Sequence, residues 1–161
     1  MAEAALRAMT ADEFVHWDDG TDTRFELVDG VVVAMAPATD AHGTIAGNAW
    51  GEIDARLRAR PPCRAIAEAG IRLDSRNHFK SDVAATCAEP RGQLYVEEPF
   101  LVVEVISESD DLSRKLKRYI ELPTIREIWL IDSRERWVQV WRRSHDCWIV
   151  TLPLRGAASF P

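Results

Sequence analysis

The chain has 161 residues, of which 47% are hydrophobic and 29% charged, with a formal net charge of -6. This size and apolar content suit one compact domain, so we assign residues 1–161 to a single domain. No stretch approaches the roughly 20 apolar residues that span a bilayer, and the first residues lack the apolar run of a secretion signal. We therefore expect a soluble, cytoplasmic protein with no membrane partner.

Cysteine number and local charge narrow the function classes further. The three cysteines are widely spaced and form no CxxC pair, which argues against a disulfide framework or a structural zinc site.

Net negative charge is unfavourable for nucleic-acid binding, because the affinity comes mostly from phosphates neutralised by Lys and Arg. Two arginine clusters could still form a cationic rim, or could be ordinary solvated surface. The clusters are Arg56, Arg58, Arg60 and Arg64, and Arg134, Arg136, Arg142 and Arg143.

The N-terminal part of the chain predicts a short helix followed by a hairpin. The sequence Thr-Ala-Asp-Glu at 10–13 has the spacing of a capping box, so a helix should begin there and continue to Trp17. Two β-rich runs, 24–28 and 31–35, flank Asp29-Gly30, a dipeptide that tolerates the positive φ angles of a tight hairpin turn.

The middle of the chain predicts a long helix and then several strands. Thr39 or Asp40 can cap a helix with one apolar residue every four positions, and Pro61-Pro62 ends it. That apolar stripe consists of Ile45, Ala49, Ile53 and Leu57. Strands are predicted at 64–67, 70–73 and 82–87, with a polar turn at 74–78.

The C-terminal part predicts a βαβ unit and a second hairpin. The run 100–106 is apolar except for Glu104, as in a strand that is covered on both faces at the centre of a sheet. A turn, an amphipathic helix and an apolar strand at 127–132 follow, so the two strands should be parallel neighbours. The helix carries Leu112, Leu116, Tyr119 and Ile120 on one side. With a hairpin over 137–152, the chain predicts an α/β fold with a mixed sheet flanked by helices.

Two acidic residues are the first candidates for chemistry. Glu104 lies within an apolar strand, where a carboxylate costs several kcal/mol unless a cation or hydrogen bonds compensate it. Asp82 stands at the predicted start of an earlier strand, and two acids at adjacent strand ends can share one hard cation. The residues alone allow a second interpretation, in which Glu104 belongs to a structural ion pair.

Several short segments together resemble the Uma-two family of bacterial restriction-endonuclease-like proteins, formerly a domain of unknown function. The segments are MTADEF at 9–14, FELVDG at 25–30, SDVA at 81–84, VVEVIS at 102–107 and REIWLID at 126–132. The resemblance implies the fold of the PD-(D/E)XK nuclease superfamily and a Mg²⁺ site, with Mn²⁺ as a possible substitute. It also implies a nucleic-acid substrate, most simply double-stranded DNA cut by a homodimer.

The resemblance also suggests the members of a catalytic site. Asp82 and Glu104, with the Val105 carbonyl, would hold the metal, and Glu26 of the first hairpin would join the catalytic set. Residue 106 is isoleucine where the superfamily motif has lysine, and the family supplies a lysine from the following helix, which matches Lys115. On geometry alone Lys80 and Lys117 remain alternatives.

Two departures from the family pattern lie beside the predicted site. Ser81 and Glu108 each stand where the family has proline. They leave open a nuclease fold that binds nucleic acid or a protein partner without cutting. A third possibility is a structural domain in which Glu104 simply pairs with Lys115.

Overall fold

The computed structural model describes residues 8–106 and 112–155. Its helices are α1 (Ala11–Phe14), α2 (Asp40–Leu57) and α3 (Leu112–Glu121). Its strands are β1 (Phe25–Val28), β2 (Val31–Ala34), β3 (Arg64–Arg72), β4 (His78–Thr86), β5 (Pro99–Ile106), β6 (Glu127–Asp132), β7 (Trp137–Ser144), β8 (Cys147–Val150) and β9 (Leu154–Arg155). No helix within these ranges is long and apolar enough to cross a membrane.

The described strands form one mixed sheet, which confirms the predicted fold class. The strand order is β2-β1-β4-β5-β6-β7-β8, with β3 paired to β4 and β9 paired to β7. The β5–β6 pair is parallel, as the βαβ pattern predicted, and the other pairs are antiparallel. Strand β5 therefore lies near the middle of the sheet, where the continuous apolar run had placed it.

The two long helices cover opposite faces of the sheet. Leu101 and Val103 of β5 belong to a buried cluster that includes Ile53 of α2. Val102 belongs to a different cluster, which includes Tyr119 of α3. Because successive strand residues point to opposite faces, β5 is buried on both sides. This explains why its sequence is apolar rather than alternating.

Local signals in the N-terminal part are confirmed. Thr10 and Glu13 form both hydrogen bonds of a capping box, although α1 ends at Phe14 rather than at Trp17. In the β1–β2 turn, Asp29 has a φ of 49° and Gly30 a φ of 84°, as a tight hairpin requires. Thr39, rather than Asp40, caps α2 by accepting a hydrogen bond from the backbone N–H of His42.

The strand predictions in the middle of the chain need two corrections. The two short strands predicted at 64–67 and 70–73 are one strand, β3, which stays paired with β4 on both sides of Glu68. Glu68 takes up the irregularity locally with a φ of 49°. Strand β4 begins at His78 rather than at residue 82, so Asp82 lies in the middle of a strand and not at its start.

The expectation drawn from the number and spacing of the cysteines is wrong. Cys63 and Cys87 form a disulfide, because β3 and β4 pair along their length and bring the two residues together. The same pairing buries His78, which packs 5.2 Å from the Phe14 ring. A Cβ atom at residue 70 would lie 2.7 Å from His78 Cε1, so this contact requires Gly70.

Candidate active site

The ammonium group of Lys115 lies between two buried carboxylates. Its Nζ atom is 2.8 Å from Glu26 Oε1 and 3.5 Å from Glu104 Oε2, and it donates to the Lys80 carbonyl at 2.9 Å. The three charged side chains are no more than 9% exposed. Burial at this depth makes their mutual compensation necessary, since an isolated charge here would be strongly destabilising.

Glu104 is held by a second residue of α3. The Tyr119 hydroxyl donates to Glu104 Oε1 at 2.6 Å, and Tyr119 is itself almost fully buried. Lys115 and Tyr119 are four residues apart, so they occupy the same face of α3. Burial, opposed by the Lys115 ammonium, raises the pKa of Glu104 to about 8, and the negative charges of Asp82 and Glu26 contribute to the rise.

Asp82 lies at the more open side of this network. Its Oδ1 atom is 2.7 Å from His42 Nε2, and its Oδ2 atom accepts from the Val105 backbone N–H at 2.7 Å. The Asp82 side chain is 21% exposed, compared with 9% for Glu104. A ligand from solvent would therefore reach Asp82 first.

Sheet register explains why these residues meet. Val83 of β4 pairs with Val103 of β5, so Asp82 and Glu104 occupy the next position of the same antiparallel ladder. Strand β1 also pairs with β4, through Leu27 and His78, and Glu26 of β1 accepts from the Lys80 backbone N–H at 2.9 Å. Three strands thus bring three carboxylates together, and two of them, Glu26 and Glu104, contact Lys115 of α3.

The structure brings the residues of the predicted catalytic set together. Lys117 is exposed to solvent, and Lys80 contributes its backbone carbonyl, so among the three candidate lysines it is the Lys115 amine that contacts the carboxylates. Ser81 is buried in β4 and its hydroxyl is 3.4 Å from the Ala69 carbonyl, whereas Glu108 lies outside the described residues.

Two further members of this network, His42 and Tyr119, were not predicted as site residues. Tyr119 was predicted as part of the apolar stripe of the helix, although its position four residues after Lys115 places it on the same helix face. The family resemblance marks position 42 as one that is often histidine, and a capping or phosphate-contacting role was favoured for His42; its contact with Asp82 joins positions 40 residues apart.

The oxygen donors of this site fit a hard divalent cation. Two carboxylates contact the Lys115 ammonium, and Asp82 adds negative charge beside Glu104, which a bound cation would offset. Within the described ranges, no group of three or more His, Cys, Asp or Glu side chains is arranged to hold a metal ion. Mg²⁺, however, often takes only one or two protein carboxylates and fills its other positions with water and phosphate oxygens. Asp82 and Glu104 could supply these two carboxylates.

Many arginines of the two predicted clusters are engaged within the fold. Arg56 and Arg58 pair with acids one helical turn earlier, and Arg142 pairs with Glu127. Arg143 donates to the carbonyls of Ile120, Leu122 and Ile125, all at or just beyond the end of α3. Arg143 is therefore a structural residue rather than part of a nucleic-acid surface.

Comparison with known proteins identifies the family. Residues 11–159 match the model of a family described as Uma2, putative restriction endonuclease. The chain belongs to the Uma2 family. The matched range includes all the site residues described above. The site therefore lies within the part of the chain that matches this nuclease family.

Two other proteins are similar to this Uma2 chain. An uncharacterized protein of Synechocystis sp. is 24% identical over 141 residues, which cover 83% of this chain and 80% of the relative. The crystal structure of a protein from Anabaena variabilis, described as a putative nuclease belonging to DUF820, matches with a TM-score of 0.71 and 19% identity. That match covers 88% of this chain and 83% of the Anabaena chain, and it shows that the two share a fold.

Proposed function

We propose that this Uma2 protein is a divalent-metal-dependent endonuclease that hydrolyses phosphodiester bonds in DNA. The observation that supports this most strongly is the position of Lys115 between Glu26 and Glu104, beside the more exposed Asp82. A set of carboxylates with one adjacent amine suits phosphodiester hydrolysis, which needs a cation, an oriented water and stabilisation of a more negative phosphate.

Each residue has a distinct role in this proposal. Asp82 and Glu104 would hold Mg²⁺ or Mn²⁺, with the Val105 carbonyl as a further oxygen ligand. When bound, the cation would supply Lewis-acid activation of water and of the phosphodiester. Lys115 orients the attacking water or donates hydrogen bonds to the charged phosphate. Glu26 holds the Lys115 ammonium in place through their 2.8 Å contact.

The proposed substrate is double-stranded DNA, and the proposed active form is a homodimer. One site of this size cuts one strand, so a symmetric pair of sites is the simplest way to cut both strands. Because the protein is acidic overall, DNA binding must depend on local positive charge, such as the exposed Arg60 near the end of α2.

A plasmid-nicking assay tests the proposal. We expect the purified protein to convert supercoiled plasmid to nicked and linear forms in Mg²⁺ or Mn²⁺, and to be inactive in EDTA. Asp82→Asn should abolish both cleavage and the rise in melting temperature that Mn²⁺ gives to the folded protein. Asp146→Asn is the matched control, since Asp146 is an exposed turn residue between β7 and β8.

The same experiment distinguishes the alternatives. DNA binding in EDTA without any cleavage in Mg²⁺ or Mn²⁺ would indicate a module that binds without cutting. Identical melting curves in EDTA and in millimolar Mn²⁺ would refute the metal site and leave Glu104 and Lys115 as a structural ion pair.

A further inference from the structure

His42 is placed by the start of α2 with little freedom. It is the third residue of the helix, and its backbone N–H donates to the Thr39 hydroxyl at 3.2 Å. This capping contact fixes the backbone from which the imidazole extends. The side chain is only 16% exposed, and its Nε2 atom is 2.7 Å from Asp82 Oδ1. An ionised carboxylate only accepts hydrogen bonds, so Nε2 is the donor.

The Asp82 carboxylate is consequently held at both oxygens. Val105 N–H donates to Oδ2 from strand β5, and His42 donates to Oδ1 from helix α2. With one bond alone the carboxylate could still rotate about its Cβ–Cγ bond. The two bonds come from different directions and select one orientation of the group that lies nearest to solvent in the site.

We propose that His42 is a positioning residue of the active site, which holds Asp82 in the orientation that accepts a divalent cation. The inference rests on the proposed function and assigns a role to a residue outside its catalytic set. A stability role alone would be small, because a partly exposed contact of this kind contributes at most about 1 kcal/mol. Outer residues that hydrogen-bond to a metal ligand, in contrast, change metal affinity substantially.

The test separates the hydrogen bond from the volume of the ring. His42→Phe keeps a planar ring and removes the donor, whereas His42→Gln places an amide N–H at a reach close to that of Nε2. Mn²⁺ affinity is measured by calorimetry on the whole protein, and plasmid cleavage is measured separately. His16→Phe is the matched control, since His16 is an exposed histidine beyond the end of α1.

We expect His42→Phe to weaken Mn²⁺ binding by about 10- to 100-fold, in line with other outer residues of metal sites. His42→Gln should recover most of that loss, and His16→Phe should bind like the wild type. Melting curves in EDTA verify that each variant is folded. Recovery by glutamine is a result that ring packing alone would not produce.

The measurements distinguish a failure of the proposed function from a failure of the role of His42. Wild-type protein that binds no Mn²⁺ would overturn the proposed function and this inference with it. Wild-type binding with equal affinity in His42→Phe would overturn the role of His42 alone. A His42→Gln variant as weak as His42→Phe would also overturn it, because the N–H donor would then not be what holds Asp82.

Discussion

Replacing Lys115 with methionine should destabilise the protein strongly even without metal or DNA. Methionine preserves most of the apolar stem and removes the ammonium that compensates two buried carboxylates. Lys117→Met is the matched control, because Lys117 lies two residues away on the exposed side of the same helix.

The size of the effect follows from the contacts of Lys115. Its Nζ atom is 2.8 Å from Glu26 Oε1, with side-chain exposures of 9% and 7%. Removing one partner of a buried pair costs about 3–5 kcal/mol. Glu104 lies farther from Nζ, at 3.5 Å, and also accepts from the Tyr119 hydroxyl at 2.6 Å, so it depends less on the ammonium. Most of the loss therefore falls on Glu26, whose remaining hydrogen bond comes from the Lys80 backbone N–H.

Urea unfolding at pH 7 in EDTA measures the change. We expect Lys115→Met to lower the free energy of unfolding by about 3–5 kcal/mol and Lys117→Met by less than about 0.5 kcal/mol. The double variant Glu26→Gln with Lys115→Met should be more stable than Lys115→Met alone, because the buried Glu26 charge is no longer left without its cation. A loss below about 1 kcal/mol for Lys115→Met, the range of exposed ion pairs, would refute the account of a buried ammonium.

Three further predictions concern the rest of the fold. Burial lowers the pKa of His78 from 6.5 to about 4, so folding favours its neutral form. The free energy of unfolding should have its full value above pH 6.5 and fall by roughly 3 kcal/mol as the pH drops towards 4. His78→Leu should flatten this part of a denaturation-versus-pH curve. Arg143→Ala should lose about 2–4 kcal/mol of stability in urea melts, with little recovery by lysine, because only the guanidinium fork reaches several carbonyls at once. Thiol titration of the unfolded, non-reduced chain should find one free cysteine, Cys147, and three free thiols would contradict the disulfide. Reduction of the bridge between Cys63 and Cys87, which are 24 residues apart, should lower the free energy of unfolding by about 3 kcal/mol.

Features that depend on neighbouring residues could be predicted from the sequence. The capping box at Thr10, the turn at Asp29-Gly30 and the helix of α2 all rest on interactions within a few positions, so the local residue types decide them. The parallel β5–β6 pair was also predictable, because a strand–helix–strand connection of this length has few alternatives.

Predictions failed where the outcome depended on which strands pair. Two short strands and a polar turn were predicted over residues 64–78. Full-length antiparallel pairing of β3 with β4 joins the two short strands into one and extends β4 back to His78. The same pairing buries His78 and brings Cys63 to Cys87. Spacing along the chain carries no information about such contacts.

The candidate site was likewise predictable only in part. Glu104 stood out in the sequence because a carboxylate within an apolar strand requires a partner, and the family resemblance pointed to Lys115. Only the tertiary structure decided how these groups are arranged: the β4–β5 register places Asp82 beside Glu104, and the N-terminus of α2 brings His42 to Asp82. The physical reason is that the apolar residues around a buried charge are its neighbours in the sequence. The groups that compensate the charge belong to elements distant in the chain, and only packing between those elements brings them to it.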